Sequence, residues 1–353
     1  MSANSSAAVE LISTLNYIQE QVNIYTSILF YIFGVIGSVF NSIIFSQKQS
    51  RKSSCSMYFL ASSITNILTL HMAFIPRFYS FINIDPSTYS LLFCKLKFYV
   101  FHSLIMLSRY YIVLACIDRY ALCSIHVRYR QFSRSKVAYH LIPVTGLVWF
   151  IIPIHIILFQ TIEHNRCTQI GFYTLFFSIY AVIFAAILPP LFMILFTLLI
   201  LNNLKQTRKR IQPATTRTTG TNYLHIKQRD YQLIRMLWLQ VIIYICSTLL
   251  YPPVTLYEAI TDNVEKSNTI VAIEAFITEL ATGTLVYINV TFPFYIYLFI
   301  SKTFRKEFKQ IIIKYCLKFL FKNHFNHLIT IASTPRIHDG MSLHLKQKTK
   351  SIR

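Results

Sequence analysis

The chain has 353 residues, of which 54% are hydrophobic and only 13% are charged, and its formal net charge is +21. Soluble domains carry about 25% charged residues, so the composition excludes an ordinary soluble protein and indicates a polytopic membrane protein. The positive charge does not indicate nucleic-acid binding, because the Lys and Arg residues flank the apolar runs instead of forming a basic domain.

Seven apolar runs are each long enough to cross a bilayer, which takes about 20 largely apolar residues in a helix. The pattern predicts an all-α membrane protein, a seven-transmembrane helix bundle occupying residues 24–300. The predicted spans are 24–45, 57–74, 93–123, 138–159, 172–201, 233–257 and 270–300.

The two ends of the chain differ from this apolar middle. Residues 1–23 are polar and mixed, so we expect an extracellular N-terminus without a cleavable signal peptide, and Asn4 opens a glycosylation sequon. Residues 301–321 repeat apolar side chains at helical spacing between lysines, which predicts an amphipathic helix on the membrane surface. Cys316 within it is a candidate for palmitoylation. We expect 322–353 to be a disordered cytoplasmic tail.

The loops after spans one, three and five are rich in Lys and Arg, whereas the other loops hold most of the acids. Because basic loops stay on the cytoplasmic side, we expect the N-terminus outside and the C-terminus inside. The chain is then a multi-pass protein of the plasma membrane, in contact with its lipids.

This orientation places two of the seven cysteines, Cys94 and Cys167, on the outer, oxidising face. A disulfide between them would tie the top of span three to the loop between spans four and five. The alternative is two free thiols.

Span three closes on Asp118, Arg119 and Tyr120, and Arg119 follows Cys94 by 25 residues. This combination resembles the rhodopsin-like (class A) family of G-protein-coupled receptors, which places a disulfide cysteine at that distance before the arginine of its Asp-Arg-Tyr triplet. Trp149, a proline in each of spans five, six and seven, and the pair Phe304-Arg305 also fit the family.

The resemblance implies that Asp118, Arg119 and Tyr120 form a signalling switch. An arginine at the membrane edge is costly unless it is paired. Asp118 is its neighbour, and Arg119 would be released to contact a heterotrimeric G protein. Val127 falls where the family has a bulky residue that contacts the G protein, but His126 replaces the usual preceding proline.

Several positions depart from the family pattern. Asn66 stands where a buried aspartate helps to hold sodium, and the proline pair of span six is preceded by Leu250-Tyr251 instead of tryptophan. In span seven, the tyrosine of the switch falls on Ile296 when counted from the proline and on Tyr297 when counted back from the surface helix. We favour Tyr297.

Arg109 lies in the middle of span three, where a charge is expensive. We expect a buried polar network of Asn66, Ser108, Arg109 and Asn289. In it the Arg109 guanidinium replaces the absent sodium ion and donates a hydrogen bond to Asn66. The alternative is that Arg109 pairs with backbone carbonyls or a lipid headgroup.

The ligand is constrained mainly by exclusion. Phe101 occupies the site of the aspartate in amine receptors, and no lysine lies between Lys266 and Lys302 to bind retinal. At the outer rim of the bundle, acidic residues near spans six and seven lie across from basic residues near spans two and three. We call this rim the polarised mouth, and its charges favour a short peptide with a basic residue as the ligand. These charged residues are Glu258, Asp262, Glu265, Glu274 and Glu279, and Arg77, Lys95 and Lys97. The candidate ligand-binding residues are Lys97, Phe101, His102, Ile105, Tyr257 and Glu279.

We therefore interpret the sequence as a receptor that binds an extracellular ligand and activates a heterotrimeric G protein. Among known groups it resembles invertebrate neuropeptide receptors of the FMRFamide type or orphan receptors. We expect no enzymatic activity, cofactor, metal or nucleic-acid partner, because no catalytic or metal-ligand pattern is present. The alternatives are a receptor-fold scaffold or scavenger that no longer signals, and a seven-span channel or transporter.

Overall fold

The computed structural model describes residues 2–48, 50–124, 126–163, 165–211, 220–261 and 264–314. Side chains are described for this range apart from residues 2–7, 127, 204–211 and 220–232. Asp262, Cys316 and the predicted tail 322–353 lie outside it.

The described part of the chain contains seven helices that are long and apolar enough to cross a membrane. The fold is the predicted all-α membrane protein, a seven-transmembrane helix bundle. Spans one to seven are Ala8–Phe45, Ser54–Ser80, Leu91–Cys123, Ser135–Phe159, Phe172–Asn203, Leu233–Thr261 and Asn268–Thr291.

Span three is the central helix. Within its most apolar stretch 72% of the residues are buried, against 17% for span four. Ser90 caps its first turn by accepting from the amide of Phe93 at 3.4 Å, which satisfies a helix-start amide that has no partner within the helix. Beside its middle, Trp149 of span four packs on Tyr110, with ring centroids 4.4 Å apart.

Prolines divide the later spans into segments. Pro252 follows the break between Gly220–Thr248 and Tyr251–Thr261, and Pro293 begins Pro293–Ile300, the continuation of span seven. Proline has no amide hydrogen and clashes with the preceding turn, so a helix restarts or kinks there. The α-helices are Ser2–Phe45, Ser54–Ser80, Leu91–Cys123, Val127–Phe132, Ser135–Ile151, His155–Phe159, Phe172–Ala181, Leu188–Ile211, Gly220–Thr248, Tyr251–Thr261, Asn268–Thr278, Val286–Thr291 and Pro293–Ile300.

Two wide π-helical turns, Val182–Ile187 in span five and Glu279–Leu285 in span seven, interrupt the regular helix. A π-turn leaves carbonyl groups without their usual partners, and such turns occur frequently at functional sites. Short 3₁₀ turns are Ser50–Lys52, Pro86–Thr88 and Ile152–Ile154.

The loop between spans four and five is a β-hairpin, which was not predicted from the sequence. Thr161–Glu163 pairs antiparallel with Arg166–Thr168, and Ile162 lies opposite Cys167. Asn165 occupies the turn with φ 56°, a left-handed conformation that asparagine tolerates better than most residues.

The chain divides into two compact units, Met1–Glu307 and Phe308–Arg353. The bundle belongs to the first unit, in which residues 302–307 are helical; of the second unit, the described residues 308–314 are helical. The first helix begins at Ser2, well before the predicted start of span one, because residues 2–23 contain neither proline nor glycine to stop it.

Candidate functional site

One end of the bundle is closed by a disulfide. Cys94, near the start of span three, bonds to Cys167 of the β-hairpin, and their Cα atoms are 5.7 Å apart. The predicted disulfide is confirmed. It fastens the hairpin to the central helix, and we name this the disulfide end.

A cavity of about 840 Å³ lies among the hairpin and spans three, five, six and seven. Its volume is in the range of sites that enclose a small ligand. The residues from span three form one face of the helix, because positions three, four and seven apart point the same way. They are Phe98, Phe101, His102, Ile105 and Arg109.

The structure places three of the six predicted ligand-binding residues on this cavity: Phe101, His102 and Ile105. Phe101 also packs on Tyr287 of span seven, with ring centroids 6.0 Å apart. The His102 ring lies 3.3 Å from the hydroxyl of Tyr180 in span five. These side chains therefore join the cavity wall to the neighbouring spans.

The prediction that Lys97 binds the ligand is wrong, because Lys97 does not line the cavity. Its ammonium lies 3.3 Å from a carboxylate oxygen of Asp85 and 3.2 Å from the hydroxyl of Ser87. A helix turns about 100° per residue, so Lys97 lies about 100° from Phe98 and about 40° from Phe101, at the edge of the cavity-lining face. Its ammonium is turned out of the cavity toward Asp85 and Ser87.

The same prediction is wrong for Glu279 and Tyr257. Glu279 accepts a hydrogen bond from the Arg77 guanidinium of span two, as part of an ion pair between spans two and seven. Tyr257 is 47% exposed and donates to Glu274 at 2.8 Å. Neither belongs to the cavity wall.

The predicted polarised mouth is largely neutralised by pairs formed within it. Besides Arg77 and Glu279, Lys266 pairs with Glu274 at 2.7 Å. Glu258 lines the cavity and accepts a hydrogen bond from Thr278. Among the residues whose side chains are described, no basic group forms an ion pair with Glu258.

The predicted buried polar network divides into separate pairs. The hydroxyl of Ser108 donates to Asn66 and lies 3.0 Å from that of Ser62. Asn289 of span seven donates to Ser247 of span six.

Arg109 does not take part in either pair, so the hypothesis that Asn66 accepts from it is wrong. The guanidinium carbon lies 5.4 Å from the centre of the Tyr244 ring in span six. Nη1 lies 4.0 Å from the sulfur of Met106. Ser108 and Arg109 are consecutive helix residues and point about 100° apart, so only Ser108 faces span two.

The opposite end of span three holds the Asp118–Arg119 pair. Arg119 Nη2 lies 2.6 Å from Asp118 Oδ2, and the side chains are 2% and 0% exposed. The other carboxylate oxygen accepts from Ser54, the first residue of span two. Nη2 of Arg119 lies 3.4 Å from the hydroxyl of Ser53. We name this the Asp118 end.

Tyr120 and Tyr297 both lie near this end. The ring of Tyr120 contacts Phe196 of span five at 5.6 Å. Tyr297 is 1% exposed, and its hydroxyl donates to Gln240 of span six at 3.2 Å. Val127 begins the short helix Val127–Phe132, but its side chain lies outside the described part of the chain.

Two tyrosines beside Arg109 were not among the residues predicted from the sequence. The hydroxyl of Tyr244 donates to the carbonyl of Ala185, and that of Tyr110 donates to the carbonyl of Phe184 at 3.1 Å. Both carbonyls belong to the π-turn Val182–Ile187. Tyrosines within apolar runs are common, so periodicity alone does not single these two out.

The fold is a seven-helix membrane bundle with a cavity at its disulfide end and a buried ion pair at its Asp118 end. A family model described as 7 transmembrane receptor (rhodopsin family) matches residues 37–282, more than half of the chain. The chain belongs to this family. A comparison with the curated proteins finds no match.

Proposed function

We propose that this receptor binds an extracellular peptide ligand in the cavity at its disulfide end and activates a heterotrimeric G protein at its Asp118 end. The disulfide end then faces the outside and the Asp118 end faces the cytoplasm, with residues 24–300 in the membrane, 301–321 on its surface and 322–353 in the cytoplasm. The basic loops after spans one, three and five support this orientation.

The observation that carries the proposal is that one helix connects the two ends. Arg109 lines the cavity, and Arg119 lies ten residues further along span three. At 1.5 Å per residue the two positions are about 15 Å apart. A ligand that shifts or rotates this helix acts directly on the buried ion pair, and displacement of packed helices is a common switching movement.

The ion pair supplies the switch. Asp118 is held on one side by Arg119 and on the other by Ser54 of span two. A buried arginine that loses its carboxylate is unstable unless another acceptor replaces it. A G-protein segment that enters between the parted helices would offer such acceptors, and Arg119 and Val127 are the contacts we propose. Tyr120 and Tyr297 complete the proposed switch.

The ligand class follows from Glu258. It is an acid of the cavity wall without an ion pair to any described basic side chain, and a peptide carrying Arg or Lys would complement it. Short basic peptides of the FMRFamide type have this property, and their aromatic side chains suit a wall that contains Phe98, Phe101 and Phe177.

The test is a panel of short peptides with one basic residue, applied to cells that express the full chain and a reporter of G-protein dissociation. At least one peptide should give a saturable response that Arg119→Ala abolishes and that Glu258→Gln weakens at least about tenfold. Glu163→Gln, an acid of the hairpin outside the cavity wall, is the matched control and should leave the response unchanged. A response that persists in Arg119→Ala at normal surface expression would refute the proposed switch.

A second candidate is a receptor-fold scavenger that binds a ligand without signalling. It is favoured by the positions in spans six and seven that depart from the family pattern, Leu250-Tyr251 and Phe292 before Pro293. It predicts peptide binding to the full chain without G-protein dissociation in the same cells.

A further inference from the structure

Arg109 is a buried cation in the cavity wall. Its side chain belongs to a residue that is 8% exposed, and it lies among the residues that line the 840 Å³ cavity. Of the span-three residues on that wall it is the farthest from Cys94, by about 22 Å along the helix at 1.5 Å per residue. It therefore marks the deep end of the cavity.

Within the described part of the chain, Arg109 has no anionic partner. Its Nε is buried and has no hydrogen-bond partner, and Nη1 reaches only the sulfur of Met106, a weak acceptor. The nearest compensation is the face of the Tyr244 ring, a cation–π contact that is weaker than an ion pair.

The hydrogen-bond acceptors near Arg109 already have other donors. The carbonyls of Phe184 and Ala185 lie in the π-turn of span five, but Tyr110 and Tyr244 donate to them. The acid nearest along the sequence, Asp118, is paired with Arg119. A folded protein rarely buries a guanidinium in this state unless a ligand completes it, and an ionisable group within a span marks a functional site by default.

We propose that Arg109 binds the carboxylate of the receptor's ligand, a molecule with an apolar or aromatic body that ends in an anionic group. This inference deepens the proposed function, on which it rests, by adding an anionic end to a ligand whose basic end faces Glu258. A peptide with a free C-terminal carboxylate or an acidic side chain would meet both requirements. The uncharged C-terminal amide of an FMRFamide-type peptide would not pair with Arg109, so this inference narrows the proposed ligands to peptides that also carry an acidic group.

The chemistry of the wall selects an organic carboxylate over an inorganic anion. A guanidinium binds a carboxylate through two parallel hydrogen bonds, and the pair is strongest where water is excluded. The two side chains that contact Arg109, those of Met106 and Tyr244, are apolar or aromatic, and Ile105, one turn away on the cavity wall, is apolar. This end of the cavity therefore fits a hydrocarbon body better than a hydrated ion.

Arg109 should destabilise the receptor when no ligand is bound. A cation without a counter-ion destabilises the fold, so replacing it with a neutral side chain of similar length should not lower the melting temperature. Arg109→Gln is therefore expected to fold at least as well as the wild type when no ligand is present.

The experiment measures thermal unfolding of the purified full-length receptor with two probes of nearly equal shape, 4-phenylbutyrate and 4-phenylbutyramide. The carboxylate should raise the melting temperature saturably by about 3 °C or more, and the amide by less than about 1 °C. The carboxylate shift should vanish in Arg109→Gln and persist in Lys97→Gln, a cation of the same helix outside the cavity wall.

Equal shifts with acid and amide, or no shift with either, would overturn the proposal. So would a carboxylate shift that survives in Arg109→Gln. Sodium chloride and sodium gluconate are compared in the same assay. If chloride raises the melting temperature above that in gluconate by as much as 4-phenylbutyrate does, the site binds an inorganic anion instead. Should Arg109→Gln fail to fold, the comparison of acid with amide on the wild type decides alone. The readout needs no G protein, so failure here leaves the proposed signalling function standing.

Discussion

The hydroxyl of Ser54, the first residue of span two, donates a hydrogen bond to Oδ1 of Asp118 in span three. The other oxygen of the same carboxylate binds Arg119. Asp118 is thus held from both sides, and a change at the start of span two reaches the ion pair without touching Arg119.

Ser54→Ala should raise ligand-free signalling. A hydrogen bond to a charged group contributes about 1.5–3 kcal/mol, and each 1.4 kcal/mol, roughly, changes a population tenfold. If half of this energy favours the resting state, ligand-free G-protein activation rises by about three- to tenfold.

Ser133→Ala is the matched control for this change. The Ser133 hydroxyl lies 3.2 Å from that of Ser54, so its loss leaves the bond from Ser54 to Asp118 in place. Equal ligand-free activity in the wild type and Ser54→Ala, at equal surface expression, would show that Ser54 does not restrain Asp118.

The ion pair of Arg77 and Glu279 should connect spans two and seven energetically. The two side chains are 20% and 22% exposed, so solvent weakens the attraction only in part. A double-mutant cycle with Arg77→Gln and Glu279→Gln should give a coupling free energy of about 0.5–3 kcal/mol in the unfolding of the receptor. Additive effects of the two changes would exclude the pair.

The Glu279 carboxylate occupies the space where any residue other than glycine at position 283 would place its Cβ atom. A Cβ atom at Gly283 would overlap the Glu279 carboxylate, which lies one turn earlier in the π-turn. Gly283→Ala should therefore displace the carboxylate from Arg77 and destabilise the receptor about as much as Glu279→Gln does. In the Glu279→Gln background, Gly283→Ala should lower the free energy of unfolding much less. An equal loss of stability in both backgrounds would contradict this explanation.

The disulfide should stabilise the receptor and its cavity together. Cys94 and Cys167 are 73 residues apart in the sequence, and a bridge over a long loop contributes about 2–4 kcal/mol. Replacing both cysteines with serine should lower the melting temperature and weaken ligand binding, because the hairpin that carries part of the wall is released. Cys246→Ser, which removes an exposed free thiol, should change neither.

The sequence was sufficient to predict features that depend on local pattern. Hydropathy located the seven spans, and topology brought Cys94 and Cys167 to one face. It also drew attention to Arg109, because a charge in the middle of an apolar run needs an explanation. These predictions follow from composition and from the thickness of a bilayer, and they do not require the packing of one helix against another.

The sequence was not sufficient where the rotation of a helix decides the outcome. Lys97 and Arg109 lie on the same span, yet only Arg109 faces the cavity. Glu279 pairs with Arg77 at a separation of 202 residues, a contact that requires spans two and seven to be adjacent. The hairpin was missed because its strands have only three residues each, too few to establish an alternating pattern.

The most direct test of the central claim is ligand-free nucleotide exchange on purified heterotrimeric G proteins by the full-length receptor in lipid nanodiscs. Asp118→Asn removes the charge that holds Arg119, so it should raise the exchange rate several-fold over the wild type. The double variant Asp118→Asn with Arg119→Ala should return the rate to that of empty nanodiscs. If Asp118→Asn leaves exchange unchanged with every heterotrimer class, or if the double variant remains active, the Asp118–Arg119 pair is not a signalling switch.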